Sequence, residues 1–185
     1  GVLGRSNEGM VDTAPSGTPA PVVGLAPATG VFVGHHVACA THAGGEVTCW
    51  GSNAAAQIPN HPTDTGELFG PVTFTLGKKS TALALADRGT VALTESGLVS
   101  WGRSGRLLGP NTGVLGRESS TEVSGPAAID LPHVSAIAAS AGRACAISNG
   151  SVFCWGAGPI PGSDSVYPTY AGVGSTAIYA QTIAL

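Results

Sequence analysis

The sequence predicts an all-β protein built from repeated four-stranded antiparallel units, the arrangement found in the blades of a β-propeller. Trp-Gly pairs recur at Trp50, Trp101 and Trp155, so the tryptophans are 51 and 54 residues apart, which is a spacing typical of propeller blades. The 28 glycines and 13 prolines are scattered along the 185 residues, as expected of turns between many short strands. No long helical pattern interrupts them.

Each repeat predicts the same order of strands. A segment led by proline comes first, a small apolar run follows, and a hairpin then ends at Trp-Gly. The proline-led segments are Pro21–Val23, Pro71–Phe74 and Pro126–Ile129, and the apolar runs are Val31–Gly34, Ala82–Leu85 and Ile137–Ser140.

The hairpin of the third repeat places two cysteines opposite each other. Asn149-Gly150 is a favoured two-residue turn, and counting outward from it pairs Ser148 with Ser151. Three rungs further out, Cys145 faces Cys154. Directly opposed positions of an antiparallel pair lie within the Cα distance that a disulfide spans.

The first repeat reaches the same pairing through a longer turn. With Ala43-Gly44-Gly45 as a three-residue turn, Cys39 faces Cys49 at the corresponding rung. The middle repeat has Val91 and Ser100 there, so both cysteines are lost together. We therefore predict two disulfides, Cys39–Cys49 and Cys145–Cys154. Free buried thiols are the alternative, and a zinc site of Cys39, His42 and Cys49 is a weaker one, since the third repeat has no equivalent histidine.

The repeats divide a single propeller segment that spans residues 1–185. Residues 1–50 hold the end of one repeat and the first hairpin, 51–101 form the second repeat, 102–155 form the third, and 156–185 begin a fourth. Both ends fall inside a repeat. We therefore expect a partial ring, which is open or is completed by a missing part of the chain or by a partner.

These motifs resemble those of the regulator of chromosome condensation repeat family. "VFVGHHVACAT" and "IAASAGRACAI" match the strands before the family's hairpin, "CWGSNAAAQ" at Cys49–Gln57 matches its Trp-Gly segment, and "GVLGR" at Gly1 and at Gly113 matches the end of its repeat. The resemblance covers nearly the whole chain and implies a β-propeller, usually closed with seven blades. The family's motif histidine aligns with Val37, Gly89 and Arg143.

The sequence carries no catalytic motif. It lacks Gly-x-Ser-x-Gly, His-Glu-x-x-His, a phosphate-binding loop and a calcium loop, so we expect neither an enzyme nor a cofactor or metal site. His35-His36 is interpreted as a partly buried structural pair on a motif strand. Glu67 is expected in a solvated loop together with Asp64, and Glu118 and Glu122 in another.

Charge and cysteines limit the partners and the compartment. Charged residues make up 10% of the chain and the net charge is −3, which disfavours a nucleic-acid partner, and no apolar run is long enough to span a membrane. Paired cysteines indicate an extracellular, cell-surface or periplasmic location.

Asn149-Gly150-Ser151 is a candidate N-glycosylation site. Tyr167, Pro168 and Tyr170 form an aromatic cluster, which we expect to pack against the next blade or to anchor a partner.

We interpret the chain as a non-catalytic, extracytoplasmic module for protein–protein interaction or structural assembly. Its partner would be another protein or the remainder of its own propeller, bound mainly by the stretches Gly51–Gly70 and Gly102–Gly125, which depart most from the repeat. The resemblance implies two alternatives. One is a guanine-nucleotide exchange factor for a small GTPase with chromatin association, and the other is an enzyme inhibitor that presents loops to an active site, as secreted propellers that resemble β-lactamase inhibitors do.

Overall fold

The chain folds into three antiparallel sheets of four strands each. The computed structural model describes residues 3–5, 15–59, 67–103, 114–117, 123–156 and 181–183. Over these residues the secondary structure is strand and turn, and no helix is long and apolar enough to cross a membrane. The predicted all-β fold of four-stranded blades is confirmed.

Each sheet is one blade, and its strands follow one another in chain order from the inner to the outer edge. Blade one consists of β1 (Gly30–Val33), β2 (Val37–Thr41), β3 (Glu46–Ser52) and β4 (Glu67–Thr75). Blade two consists of β5 (Ser80–Ala86), β6 (Gly89–Thr94), β7 (Gly97–Arg103) and β8 (Val123–Ile129). Blade three consists of β9 (Val134–Ser140), β10 (Arg143–Ser148), β11 (Ser151–Gly156) and β12 (Gln181–Ile183).

The sheets and the sequence repeats are divided at different points. The proline-led segments at Pro71 and Pro126 lie in β4 and β8, the outer strands of the blades that precede them in the repeat. Pro21–Val23, which the pattern predicts to be extended, lies in no strand. The N–H of Val23 instead donates to the carbonyl of Gly4, because none of the described strands runs beside this segment.

One further position, Glu67, differs from the sequence prediction. Glu67 opens β4 instead of lying in a loop, because β3 continues past its tryptophan and offers Ser52 as a partner for it. The outer position of blade three is taken by β12, which pairs with β11. Tyr167, Pro168 and Tyr170 lie outside the described residues.

The hairpin registers agree with the turn analysis. Cys39 pairs with Cys49, Val91 with Ser100, and Cys145 with Cys154. The longer turn of blade one is closed by a hydrogen bond from the His42 N–H to the carbonyl of Glu46. Turn length and residue type thus fix the facing pairs in all three hairpins.

The glycine of each Trp-Gly pair turns the chain where no side chain fits. Gly51, Gly102 and Gly156 have φ angles of 106°, 125° and 115°, a region that L side chains rarely adopt. A Cβ on Gly102 would lie 2.5 Å from the carbonyl oxygen of Arg88. The N–H of the next residue, Arg103, donates to that same carbonyl at 2.8 Å, so the glycine permits a close crossing of β7 and the β5–β6 turn.

Neighbouring blades pack face to face, and each interface forms one apolar core. We call the face that carries a blade's tryptophan its leading face and the opposite face its trailing face. The trailing face of blade one, with Val37, Cys39 and Val47, packs on Leu83 and Trp101 of blade two. The trailing face of blade two packs in the same way on the leading face of blade three, and the residues of that core include Ala84, Val91, Leu98, Ala144, Ala146 and Trp155.

Substituting Gly102 with alanine tests the close crossing. We expect Gly102→Ala to lower the free energy of unfolding by about 2–4 kcal/mol, because the new Cβ meets a carbonyl oxygen in a left-handed backbone conformation. Gly97→Ala has the positive φ without the close contact and should cost about 1–2 kcal/mol. Gly125→Ala has neither and serves as a neutral control. Chemical denaturation measures all three, and equal losses at Gly97 and Gly102 would contradict the crowding argument.

Candidate functional site

The two cysteine pairs are disulfides at equivalent rungs of blades one and three. The Cα atoms are 4.1 Å apart in both Cys39–Cys49 and Cys145–Cys154. Both lie on the trailing face of their blade. Cys39 and Cys49 are fully buried between blades one and two, whereas Cys145 is only half-buried, because no described blade covers the trailing face of blade three.

At the same rung of blade two, Ser100 is hydrogen-bonded to residues of the β7–β8 connection. The hydroxyl of Ser100 donates to the carbonyl of Leu115 at 2.7 Å, and Arg117 donates to the Ser100 hydroxyl and carbonyl at 3.1 and 2.9 Å. A further bond from Arg117 reaches the carbonyl of Gly125 in β8. Burial lowers the pKa of the Arg117 guanidinium below its usual value. The arginine therefore joins two strands to the linker at the rung where the other blades have a disulfide.

The zinc alternative at Cys39, His42 and Cys49 is wrong. Both cysteines are bonded to each other, and both ring nitrogens of His42 are engaged. Nδ1 donates to the carbonyl of Pro27 and Nε2 accepts from the hydroxyl of Thr48, each at 2.8 Å, since a carbonyl cannot donate. No cluster of three His, Cys, Asp or Glu suited to a metal ion occurs among the residues that the structure describes.

The pair His35-His36 is more exposed than the sequence predicts. Both residues lie in the turn between β1 and β2, not on a strand, and both are exposed. Their rings stack with centroids 3.8 Å apart, and Nδ1 of His35 lies 3.9 Å from a carboxylate oxygen of Asp87 in blade two. The first buried position after this turn is Val37, which aligns with the family's motif histidine. His35 and His36 come before it in the sequence and therefore lie in the exposed turn.

Trp101 and Trp155 lock their blades to a connection inside the preceding blade, the β3–β4 connection for Trp101 and the β7–β8 connection for Trp155. Nε1 of Trp101 donates to the carbonyl of Gln57 at 2.6 Å, and Nε1 of Trp155 donates to the carbonyl of Val114 at 2.7 Å. Gly4 lies in the same position against Trp50, where a Cβ would come within 3.1 Å of Nε1. In the sequence, the repeated "GVLGR" marks two of the three segments that contact a tryptophan.

The leading face of blade one is open at its inner edge. Val31 and Val33 of β1 are 67% and 71% exposed. The registers make them equivalent to Leu83 and Leu85 of β5, which are each 6% exposed beneath the trailing face of blade one. Further out, Trp50 is covered by Val22 and Leu25. The valines therefore form an apolar edge that no described blade covers.

The trailing face of blade three is open as well. Ile147 is 37% exposed and lies one register step from Cys145, next to the half-buried Val152. The equivalent face of blade one is fully buried at Val47, Cys39 and Cys49. The two open faces are complementary, because one is a leading face and the other a trailing face.

Other predicted positions are described only in part. Residues 60–66 of Gly51–Gly70 and residues 104–113 and 118–122 of Gly102–Gly125 lie outside the described residues, and they include Asp64, Glu118 and Glu122. Asn149 is exposed at the tip of the β10–β11 hairpin, and its glycosylation stays a prediction.

The fold and its Trp-Gly rungs define a segment of a β-propeller, and solved structures share that fold. The chain superimposes on human WBSCR16 with a TM-score of 0.65 and 20% identity, covering 84% of this chain and 37% of that one. It superimposes on yeast RCC1 (Prp20) from a complex with Kap60 with a TM-score of 0.61 and 20% identity, covering 81% and 34%. Another structure, Prp20p from Saccharomyces cerevisiae, gives 0.58 and 21%, covering 81% and 35%.

The suspected resemblance to the regulator of chromosome condensation repeat is thus confirmed at the level of the fold. The chain spans about a third of the length of these structures. No protein-family model matches the sequence, and no curated protein matches it.

Removing the indole N–H of Trp155 tests the lock between blades. We expect Trp155→Phe to lower the free energy of unfolding by about 1–3 kcal/mol from the unpaired carbonyl of Val114 alone, since a buried acceptor without a donor is costly. Replacing Trp155 with β-(3-benzothienyl)alanine keeps the ring size and removes only the N–H, so it separates the hydrogen bond from lost packing. An unchanged unfolding curve for the benzothienyl protein would contradict the lock.

The two disulfides should differ in their access to reductant. Alkylation of the unreduced native protein should label no cysteine. Mild dithiothreitol followed by alkylation should label Cys145 and Cys154 first, because Cys39 and Cys49 are fully buried between blades. Peptide mass mapping measures the order, and a fully denatured sample that releases all four thiols is the control. Labelling of the blade-one pair before the blade-three pair would show that the burial assignment is wrong.

Proposed function

We propose that the chain is a non-catalytic propeller module that binds other blades or another protein through its open faces. The observation that carries the proposal is the contrast between Val31 and Val33, which are 67% and 71% exposed, and their buried counterparts Leu83 and Leu85, at 6% each. Exposed apolar patches on a monomer typically mark interaction sites. The covering surface is a trailing blade face, since that is what covers Leu83 and Leu85 within the chain.

The chemistry of the described residues supports a binding role. The titratable groups that could serve catalysis are either engaged in the scaffold, as His42 is, or exposed in turns, as His35 and His36 are. A rigid stack of blades with variable linkers is suited to presenting surfaces to a macromolecule. The partner is therefore a protein surface or the remainder of a propeller ring.

We further propose an extracytoplasmic location, which the two disulfides support. Both pairs close a hairpin whose buried positions include several alanines, namely Ala38 and Ala40 in blade one and Ala144 and Ala146 in blade three. A bond across each hairpin stabilises such sheets by restricting the unfolded chain. Disulfides of this kind persist in oxidising compartments.

The exchange-factor alternative is compatible with the fold, because one of the similar structures is described with its binding properties to Gsp1p and histones. It would require reduced cysteines in the cell. Recovery of the protein from its own cells in the presence of an alkylating agent, with all four cysteines labelled, would favour it. An exposed row of aromatic side chains would favour an inhibitor role. Among the described residues, the exposed large apolar side chains include no aromatic one.

Lysine substitutions on the open faces test the proposed docking. Val33→Lys on the leading face of blade one and Ile147→Lys on the trailing face of blade three should each weaken the association of one copy with another, because a charge would be buried at the contact. Wild-type protein should show a weight-average mass that rises with concentration in sedimentation equilibrium.

Ser96→Lys adds the same charge at an exposed turn away from both faces and is the matched control. All three variants should keep the melting temperature of the wild type within about 2 °C, since exposed substitutions rarely change stability. A wild-type protein that stays monomeric at every concentration, or a control that weakens association as much as the face variants do, would contradict docking through these faces.

A further inference from the structure

The tip of the β10–β11 hairpin carries a sequence that its turn does not fully explain. Asn149 and Gly150 have φ angles of 48° and 79°, as a two-residue turn with positive φ at both positions requires. The turn therefore accounts for Asn-Gly. It does not account for Ser151, because the equivalent positions after the other two turns are Glu46 and Gly97.

The side chains of Asn149 and Ser151 have no structural task within the described residues. Within the described residues, neither the side-chain amide of Asn149 nor the hydroxyl of Ser151 forms a hydrogen bond. The backbone N–H of Asn149 donates to the carbonyl of His133. Asn149 is exposed. Elsewhere in the same blade a serine is used by the scaffold, since the hydroxyl of Ser148 donates to the carbonyl of Pro132 at 2.5 Å.

We propose that Asn149 is an acceptor for an N-linked oligosaccharide. Asn149-Gly150-Ser151 is the acceptor triplet Asn-x-Ser, and none of the other four asparagines of the chain is followed two positions later by Ser or Thr. Ser148 and Ser151 form the last rung of the ladder. The amide of Asn149 therefore lies beyond the end of the sheet, where a transferase active site can reach it without unfolding the blade.

The modification is a glycosyl transfer that needs a second substrate. The donor is an oligosaccharide bound through its anomeric carbon to a lipid pyrophosphate. The bond from that carbon to the pyrophosphate breaks, a bond to Nδ2 of Asn149 forms, and the amide gives up one proton to a base of the transferase. The lipid pyrophosphate leaves with the bonding electrons, so the step needs no oxidant or reductant.

The position of the sugar suits the proposed interaction. Asn149 lies at the end of blade three opposite its Trp-Gly crossing. A sugar there projects beyond the strands and leaves the leading face of blade one uncovered. The inference rests on the proposed extracytoplasmic location, because transfer takes place in a secretory compartment.

The test is secretion of the full chain from a eukaryotic cell line, followed by intact mass and peptide mapping with and without peptide-N-glycosidase. Wild-type protein should carry a sugar that the enzyme removes, leaving Asp at position 149. Asn149→Gln and Ser151→Ala should both abolish it, and Ser151→Ala leaves the Asn-Gly turn intact. Ser151→Thr should keep or raise the glycosylated fraction, which a purely structural role of Ser151 does not predict.

The disulfides in the same samples separate this proposal from the proposed location. Secreted protein with both disulfides and no sugar at Asn149 would overturn the glycosylation site alone. Secreted, folded protein whose four cysteines stay reduced would overturn the extracytoplasmic proposal, whatever Asn149 carries. A sugar that persists in Ser151→Ala would show that the triplet is not the acceptor and would also overturn the proposal.

Discussion

The stacking of the blades depends on one hydrogen bond that is repeated between them. Trp101 and Trp155 each donate an indole N–H to a carbonyl in the connection between the third and fourth strands of the preceding blade. The interfaces between the blades combine alanines with leucine, valine and tryptophan side chains, and the tryptophans are the largest of the fully buried ones. A fully buried indole supplies both a large apolar surface and a directional bond. It therefore holds the connection between the third and fourth strands of one blade against the next blade.

The repeat accepts different residues at the rung before the tryptophan. At the position after the tryptophan it admits only glycine. The rung before the tryptophan is a disulfide in blades one and three and a serine held by Arg117 in blade two. The glycine after the tryptophan is invariant within the chain because a carbonyl occupies the space of its side chain. Covalent and hydrogen-bonded links thus serve the same position, whereas a steric constraint admits one residue type.

The features that the sequence predicted well are local ones. The pairs Cys39–Cys49 and Cys145–Cys154 followed from turn length, since a hairpin register is set by a few neighbouring residues. The burial of His35 and His36 was wrong because exposure depends on how a turn meets the next blade, and the extended form of Pro21–Val23 was wrong because a strand needs a neighbour. The contacts of Trp101 and Trp155 span more than forty residues, so the repeated "GVLGR" marks the segment that Trp155 contacts, but no local pattern pairs that segment with the tryptophan. The open faces could be located only when equivalent positions were compared across blades.

If each blade is locked through its tryptophan to a connection of the preceding blade, the indole protons of Trp101 and Trp155 should be among the slowest to exchange with solvent. Hydrogen exchange followed by NMR measures this directly for each indole Nε1–H. The account predicts exchange as slow as that of the backbone amides in the central strands β6 and β10, because the indole is released only when the blades separate and those amides only when a blade opens, and both are large-scale unfolding events. Indole protons that exchange at the rate of free indole, while those amides stay protected, would show that the blades are held together by something other than the tryptophan lock.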